Sequence, residues 1–423
     1  MKIELLAHQS MAIQTSVPRI VKRILKSVLI SKLSEIKQGY IELIDGSHIQ
    51  SFGDTKSPLK TRINVYNQEF YSLVALKGTI GAGEGYIYGF WKCENLTNLI
   101  RIIIMNRESM EKIDGGFSKL SRPFMKVFHS LRKNTIKGSS KNIQAHYDLG
   151  NDFFSLFLDS TMTYSSGIFK KPDSTLEEAS VEKYDRICRK LNLKPTDSVI
   201  EIGTGWGGFA YHAAKNYGCK VRTTTISKQQ FEWAKAKIKN ANLEHLVEVV
   251  MLDYRELTGE YDKLVSVEML EAVGHQYYQN FFETCARLLK PDGVMCIQSI
   301  TIKDQIYDVA KDSVDFIQRY IFPGGSLPSI LTLSDVATKF TDLNLIHLED
   351  FTAHYARTLR EWFKNLNENK SEVLKAGYPE ELLRLWEFYF CYCEGGFLER
   401  NVGVVQVLFA KSEWRGNAPL ASV

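Results

Sequence analysis

The chain has 423 residues, of which 44% are hydrophobic and 24% are charged, and its formal net charge is +4. This length is enough for two domains, and the composition is that of an ordinary soluble globular protein. No run of 18 apolar residues occurs, so we expect no membrane-spanning helix. The first 17 residues lack the apolar core and cleavage site of a secretory signal, so we expect a cytoplasmic protein.

The number and spacing of the cysteines and the share of aromatic residues limit the kinds of site that the chain can form. The seven cysteines are scattered and odd in number, which is typical of a reducing compartment. Cys391 and Cys393 form a C-x-C pair, but no second Cys/His pair lies at zinc-like spacing, so we predict no metal site. The aromatic share of 12% either fills two cores or lines a pocket for an apolar substrate.

The first predicted element is a basic amphipathic helix in residues 17–38. Its apolar residues recur at helical spacing, namely Val21, Ile24, Leu25, Val28 and Leu29. Basic residues lie largely elsewhere around this helix. It could lie on an anionic membrane surface or dock on its own domain, and the sequence leaves both open.

A mixed strand and helix pattern follows. The run YIELIDG predicts a strand that ends at a D-G turn, and LKTRINVYN predicts another strand. Four glycines between Gly78 and Gly85 predict turns or a close approach of the backbone. This segment lacks the Lys-Ser/Thr of a phosphate-binding loop, which disfavours a nucleotide triphosphate.

A basic connector separates the two halves of the chain. No Asp or Glu occurs between Gly115 and Tyr147, whereas seven lysines and arginines do. We therefore predict an N-terminal lipid- or membrane-associated domain at 1–115, a basic linker at 116–141 and a catalytic domain at 142–423.

Strand and helix patterns alternate in the second half. SVIEIG predicts a buried strand, and a helix ending at Gly218 follows it. Further strand patterns alternate with predicted helices over residues 228–241 and before Pro291. The pattern predicts an α/β domain with a doubly wound, Rossmann-like, mostly parallel sheet, after a smaller mixed α+β domain.

A glycine-rich loop lies where the first strand of this half passes into a helix. The string from Glu201 to Gly208 satisfies G-x-G-x-x-G, which also occurs in dinucleotide sites. A nicotinamide or flavin enzyme is expected to place an acid at the end of the second strand, but Thr224 to Ser227 stand there. Many methyltransferases also have an acid at this position, so its absence weakens the generic interpretation of both classes. The form VIEIGTGWGG favours S-adenosylmethionine (SAM) as the ligand.

Six segments in order give the sequence a specific resemblance. They begin with IQAHYDLGNDFFSLFLDSTMTYSSGIF, continue through VIEIGTGWGG, SVEMLEAVGHQYYQNFF, YIFPGGSLPS and HYARTLREW, and end with FYFCYCEGGF. Together they resemble the cyclopropane-fatty-acyl-phospholipid synthase family, which includes the mycolic acid cyclopropane synthases. The resemblance covers 142–411 throughout and implies a class I methyltransferase fold with SAM as methyl donor.

The resemblance also implies the cofactor contacts. They are Tyr164, Ser165, Gly203, Gly205, Gly207, Thr225, Ile226, Gln230, Asp253 and Tyr254. Asp253 ends a strand at the carboxyl edge of the sheet, where ligands of such sheets bind. Capping of the helix that follows is an equally good interpretation of this acid.

The reaction implied by the resemblance needs a base as well as a methyl donor. Methyl transfer to an alkene leaves a carbocation, and a proton must then leave the new methyl group for a ring to close. The resemblance assigns the base to a bicarbonate ion, with Glu271, Tyr355 and Cys393 near the reacting centre. A helix-start acid, a core aromatic and a small buried side chain are their alternative roles.

Two positions depart from the common family pattern. Ser166 stands where a cysteine is often found, a change of little weight if this residue acts through its backbone. Gln298 stands where many members have a histidine that helps to hold bicarbonate. An amide can still donate a hydrogen bond to an anion but does not titrate. We expect Gln298 to keep the anion-holding role.

We expect a peripheral membrane enzyme that forms cyclopropane rings on unsaturated phospholipid acyl chains. Loss of the proton from the neighbouring carbon would give a methylene- or methyl-branched chain instead. The sequence also leaves open methylation of a small soluble metabolite, or lipid binding by a protein with a decayed site. The basic stretches lack a nucleic-acid-binding module. A homodimer is possible by the resemblance.

Overall fold

The computed structural model describes residues 18–108 and 149–417, and within them the chain forms two compact units. Unit 1 contains the residues up to 108 together with Ser313–Ile321 and Trp362–Asn401. Unit 2 contains the residues from 149 to 312, Phe322–Glu361 and the residues from 402 onward. The basic linker predicted at 116–141 lies outside the described residues, and the predicted domain limits remain a prediction.

The regular elements alternate as the sequence patterns predict. The strands are β1 Tyr40–Asp45, β2 His48–Gly53, β3 Lys60–Val65, β4 Trp91–Cys93, β5 Ser198–Ile202, β6 Lys220–Thr224, β7 Val247–Val250, β8 Tyr261–Val267, β9 Leu289–Ile302, β10 Asn344–Asp350 and β11 Val402–Ala410. The α-helices are α1 Arg19–Ser34, α2 Glu69–Lys77, α3 Thr79–Ile87, α4 Leu96–Met105, α5 Asn151–Phe154, α6 Leu176–Lys190, α7 Gly208–Tyr217, α8 Lys228–Asn240, α9 Tyr278–Leu288, α10 Asp304–Ala310, α11 Phe316–Tyr320, α12 Ile330–Phe340, α13 Thr352–Glu368, α14 Lys370–Lys375 and α15 Glu380–Leu398.

Unit 1 is built on a four-stranded sheet with the order β2-β1-β3-β4. The first two strands form an antiparallel hairpin in which Asp45 pairs with His48, so the predicted D-G turn is confirmed. Gly46 has a φ of 61° in this turn, a conformation that glycine adopts without strain. Strand β3 then runs parallel to β1 and antiparallel to β4.

Helix α1 packs on its own unit along one face. The side chains buried on that face are Leu25, Leu29 and Leu33. Lys22 forms an ion pair with Glu69, and Lys26 Nζ lies 2.5 Å from a carboxylate oxygen of Asp45. The docked interpretation of this helix is therefore confirmed for one face, and two of its basic residues are paired within the unit.

The glycine-rich segment forms helix α3, so the prediction of turns there is wrong except at Gly78. Gly78 lies between α2 and α3 and has a φ of 56°. The predicted close approach is confirmed. A Cβ atom on Gly81 would lie 2.0 Å from the carbonyl oxygen of Leu73, and one on Gly83 would lie 2.4 Å from the ring of Phe316. These glycines let α3 pack tightly against its neighbours.

Helix α15 packs against α4 in the same way. A Cβ atom on Gly395 would lie 2.7 Å from the side chain of Ile100. The neighbouring Glu394 accepts a hydrogen bond of 2.8 Å from Thr97. Helix packing within unit 1 therefore accounts for Gly395 and Glu394 of the CEGGF segment.

Unit 2 contains a seven-stranded sheet with the order β10-β11-β9-β8-β5-β6-β7. Strands β5 to β9 are mutually parallel, and β11 runs antiparallel to both β9 and β10. Strand residues contribute to two buried apolar clusters. One cluster also contains residues of α9 and α12, and the other contains residues of α6 and α7. The predicted doubly wound, mostly parallel α/β sheet is confirmed. Across the described residues, no helix is both long and apolar enough to cross a membrane.

Candidate active site

The glycine loop lies between β5 and α7 at the carboxyl edge of the sheet. Gly203, Gly205 and Gly207 have φ angles of 100°, 51° and 82°, which favour glycine at each position. A Cβ atom on Gly205 would meet nothing within 4 Å, so the loop faces open space there. The loop and the first turn of α7 can therefore bring backbone N–H groups close to a ligand.

The end of β6 lies beside this loop, because the amide of Gly203 donates a 3.1 Å hydrogen bond to the carbonyl of Thr224. Thr225 Oγ1 donates to Gln230 Oε1 at 2.9 Å, and Ser227 caps helix α8. Ile226 is half-buried between them. The structure thus brings this predicted part of the cofactor set to the glycine loop.

Asp253 has the capping role that the sequence left open. It caps the short 3-10 helix Tyr254–Glu256 and accepts hydrogen bonds from the Arg255 guanidinium at 2.6 and 2.7 Å. The ring of Tyr254 packs on Phe281 at 5.6 Å between centroids. Contacts of Asp253 and Tyr254 with the cofactor remain predictions.

An aromatic segment lies against the glycine loop. Trp206, in the loop, donates a 2.8 Å hydrogen bond to Asn151 and packs on Phe154. Phe154 in turn contacts the predicted cofactor residue Tyr164 at 5.5 Å between centroids. This segment therefore supplies aromatic faces, which stabilise positive charge.

A buried lysine anchors the other predicted residue of this segment. Lys183 Nζ donates a 2.6 Å hydrogen bond to Ser165 Oγ. Burial lowers the pKa of Lys183 to about 8, although the negative charges of Glu268, Asp159 and Glu201 act to raise it. Sequence reasoning missed this lysine because the pattern of α6 marks it only as one charged residue on an amphipathic helix.

Glu268 lies at the centre of a hydrogen-bonded cluster at the end of β8. Its Oε1 accepts from the Ser166 amide at 2.9 Å and from Gln298 Nε2 at 2.8 Å. Its Oε2 accepts from the Tyr355 hydroxyl at 2.6 Å. Three of the predicted catalytic residues therefore converge on a carboxylate that sequence reasoning did not single out, although Glu268 stands three residues before Glu271 in the same segment.

Burial raises the pKa of Glu268 above its ordinary value. The hydrogen bonds from Tyr355, Gln298 and Ser166 and the charge of Lys183 oppose that rise by favouring the ionised form.

Glu271 lies on the short 3-10 helix Leu270–Ala272 beside β9. Its Oε1 accepts from Ser299 Oγ at 3.0 Å and from the Ile300 amide, whereas its Oε2 is buried without a hydrogen-bond partner within the described residues. Burial, followed by the charge of Glu268, raises the pKa of Glu271 to about 8. Burial and the charge of Glu268 therefore both favour the protonated form of Glu271.

A chain of hydrogen bonds between buried side chains ends at the carbonyl oxygen of the Gln298 side chain. Lys190 Nζ donates to Gln406 Oε1 at 2.7 Å, and Gln406 Nε2 donates to Gln298 Oε1 at 3.0 Å. Because an ammonium group can only donate, it fixes the orientation of both amides. Gln298 must then present its NH₂ group to Glu268. Neither Lys190 nor Gln406 was predicted from the sequence.

Ser166 works through its backbone. Its amide donates to Glu268 and its carbonyl accepts from Gln298 at 3.3 Å, whereas its hydroxyl bonds locally to the Gly167 carbonyl. The replacement of a cysteine therefore leaves these backbone contacts available. Cys393 lies in unit 1 on α15, and burial raises its pKa well above the ordinary value. Its place near the reacting centre remains a prediction.

The residues present do not fit a bicarbonate ion beside Glu268. The resemblance places the ion near Glu271, Tyr355 and Cys393, with Gln298 helping to hold it. Of these residues, Gln298 and Tyr355 already donate to the Glu268 carboxylate. An anion at these donors would have to displace that carboxylate, and two adjacent negative charges repel each other.

The comparison with known families agrees with this geometry. The family described as mycolic acid cyclopropane synthetase matches residues 134–407 of the chain. The chain belongs to this family. It is accordingly a SAM-dependent methyltransferase, as the glycine loop and the ordered segments predicted.

Individual members of the family cover most of the chain. It is 34% identical to tuberculostearic acid methyltransferase UfaA1 of Mycobacterium tuberculosis over 78% of each chain. It is 32% identical to cyclopropane-fatty-acyl-phospholipid synthase of Escherichia coli over 84% of this chain and 89% of the other. The crystal structure of mycolic acid cyclopropane synthase CmaA1 complexed with SAH and CTAB has a TM-score of 0.59 and 32% identity, covering 64% of this chain and 98% of that one. These likenesses confirm the class I methyltransferase fold.

Proposed function

We propose that this methyltransferase acts on the double bonds of unsaturated phospholipid acyl chains and closes cyclopropane rings. The observation that carries the proposal is the cluster in which Ser166, Gln298 and Tyr355 hold one carboxylate beside a second carboxyl group, Glu271. An isolated alkene has no heteroatom proton that a base could remove to activate it. A proton must leave only after methyl transfer has formed the carbocation, and this step needs a fixed proton acceptor.

The aromatic segment supports the same chemistry. A carbocation is stabilised by the faces of aromatic rings, and Tyr164, Phe154 and Trp206 supply such faces beside the glycine loop. SAM supplies the methyl group as a sulfonium. The protein's own task is to hold the alkene in line with that methyl group and to exclude water, which would convert the cation into an alcohol.

Helix α1 offers a way to reach a lipid substrate. Opposite its docked face, Ile20 and Ile24 are 74% and 51% exposed, and Arg19 and Arg23 are exposed beside them. Apolar side chains flanked by basic residues favour an anionic bilayer surface. The basic stretch at 115–147, which lies outside the described residues, would add to this attraction.

A methylene- or methyl-branched product is the second candidate. The 34% identity with a protein named as a tuberculostearic acid methyltransferase favours it. A ring and a methylene branch both form by loss of a proton from the transferred methyl group, but the branch requires a 1,2-hydride shift that first moves the cation to the carbon carrying this group. Loss of a proton from a neighbouring chain carbon leaves a methyl branch beside the alkene. For the base, bicarbonate remains a prediction of the family resemblance, and the occupied donors around Glu268 argue against it.

Incubation of the full chain with SAM and vesicles of a monounsaturated phospholipid tests the proposal. We expect NMR of the recovered acyl chains to show loss of alkene signals and the appearance of ring methylene signals. Retention of an alkene with a new methylene branch would support the second candidate. Methyl transfer only to small soluble metabolites would contradict both.

A further inference from the structure

The backbone of Glu268 has a conformation that costs free energy. Its φ is 49°, in the left-handed region that favours glycine, and its side chain is long and charged. Such a conformation is strained for a residue other than glycine and persists only where the surroundings enforce it. The conformation aims the Glu268 carboxylate at the Ser166 amide and the Tyr355 hydroxyl.

The hydrogen bonds around Glu268 are those of an anion site. Ser166, Gln298 and Tyr355 each donate to one of its two oxygens. The Lys190–Gln406–Gln298 chain ends in the donor on Oε1. Glu268 is nevertheless only partly buried, as is Glu271. The three donors therefore fix the carboxylate in position.

The two carboxyl groups have different surroundings. Glu268 has three donors and a buried lysine charge in its vicinity, which favour its ionised form. Glu271 has one oxygen without a hydrogen-bond partner within the described residues, and the charge of Glu268 adds to its tendency to stay protonated. Of the two, Glu268 is the group whose hydrogen-bond donors favour a carboxylate.

We propose that Glu268 is the catalytic base of this enzyme and replaces bicarbonate with a carboxylate of the chain itself. This inference rests on the proposed function. In the first step the S–CH₃ bond of SAM breaks, its electron pair stays on sulfur, and the alkene π electrons form the new C–C bond. In the second step a C–H bond of the new methyl group breaks, its electron pair closes the ring, and the proton passes to Glu268.

Position matters more than base strength in this step. A proton next to a carbocation is very acidic, so a carboxylate is strong enough to remove it, and the fixed geometry decides which proton leaves. A carboxylate attached to the backbone is present in every molecule of the enzyme. The inference therefore predicts a reaction that needs no dissolved bicarbonate.

The first test compares the wild-type rate in buffer freed of carbon dioxide with the rate in added bicarbonate. We expect the two rates to agree within about twofold. A wild-type enzyme that loses activity on depletion and regains it with bicarbonate would overturn the inference while leaving the proposed function intact. A wild-type enzyme that methylates no acyl chain in either buffer would instead contradict the proposed function.

The second test removes the carboxylate. Glu268→Gly relieves the backbone strain and frees the three donors, so the site can take an external anion. In bicarbonate-free buffer we expect its rate to fall about 100-fold or more, the usual contribution of a positioned base. Added bicarbonate should restore the rate. Glu268→Gln fills the same space, cannot accept the proton, and should be inactive with and without bicarbonate.

Two further measurements separate catalysis from folding. Asn192→Gly is a matched control, because Asn192 is exposed and has the same φ of 49° as Glu268. We expect it to keep the wild-type rate. NMR with ¹³C-bicarbonate should show binding to Glu268→Gly and not to wild type. A Glu268→Gly variant that binds no bicarbonate, or that stays fully active without it, would overturn the inference.

Discussion

Replacement of Tyr355 by phenylalanine removes one hydroxyl oxygen and so tests the hydrogen-bonded cluster around Glu268. The Tyr355 side chain is buried, with 4% of its surface exposed, and its hydroxyl donates to Glu268 Oε2 at 2.6 Å. A hydrogen bond to a charged group contributes about 1.5–3 kcal/mol. The variant should lower the rate at neutral pH by a factor of about 10 to 150, since about 1.4 kcal/mol corresponds to tenfold.

The direction of the pH effect is specific to this role. The Tyr355 hydroxyl stabilises the ionised form of Glu268, so its loss raises the Glu268 pKa further. The acid limb of the rate profile should therefore move to higher pH in Tyr355→Phe, and activity should recover as the pH rises.

The assay is the rate of SAM consumption with phospholipid vesicles between about pH 5 and pH 9, on both sides of neutrality. Tyr217→Phe is the matched control, because the Tyr217 hydroxyl also donates to a carboxylate, Asp185, at 2.8 Å. We expect the control to keep the wild-type profile. An unchanged rate and acid limb in Tyr355→Phe would refute the assignment of this hydroxyl to Glu268.

Three further perturbations test other parts of the molecule. Gly205→Val should raise the KM for SAM by about tenfold or more through lost contact with the ligand, whereas Gly46→Val, at a similar φ and also in open space, should leave it unchanged. Burial raises the pKa of Glu201 to about 8, so its stabilising contribution is present below its ordinary pKa and is lost as the pH rises towards 8. Melting curves should show that Glu201→Gln weakens the fall in Tm over that range, and an unaltered fall would contradict this. Ile20→Asp with Ile24→Asp should reduce sedimentation with anionic vesicles, and undiminished binding would remove α1 from the membrane contact.

The sheet of unit 2 was predictable because its strands are short apolar runs bounded by turn residues. Such runs bury both faces, so the pattern and the fold agree. The α3 segment was harder, because four glycines usually mark turns. There the packing of α3 against Leu73 and Phe316 outweighs the poor helix propensity of glycine.

The site could be predicted only in part. The resemblance brought attention to Glu271, Gln298 and Tyr355, and the structure shows each of them at or beside one cluster. Its centre, Glu268, could not be recognised from composition or spacing. Its role depends on a left-handed backbone and on three donors from distant parts of the chain.

The contribution of Lys190 and Gln406 was also invisible in the sequence. The two residues lie on α6 and β11, and only the pairing of β11 with β9 brings Gln406 opposite Gln298. Such long-range pairings are set by tertiary structure and leave no local signal. A buried lysine therefore fixes the orientation of the Gln298 amide through Gln406.

The most direct test of ring closure uses SAM whose transferred methyl group carries three deuterium atoms. The labelled cofactor is incubated with the full chain and vesicles of a monounsaturated phospholipid, and the acyl chains are analysed by mass spectrometry and NMR. We expect a ring methylene that retains two deuterium atoms and no alkene, because the base removes the third. Acyl chains that retain an alkene, with two deuterium atoms in a methylene branch or three in a methyl branch, or that contain no label, would contradict ring closure by this enzyme.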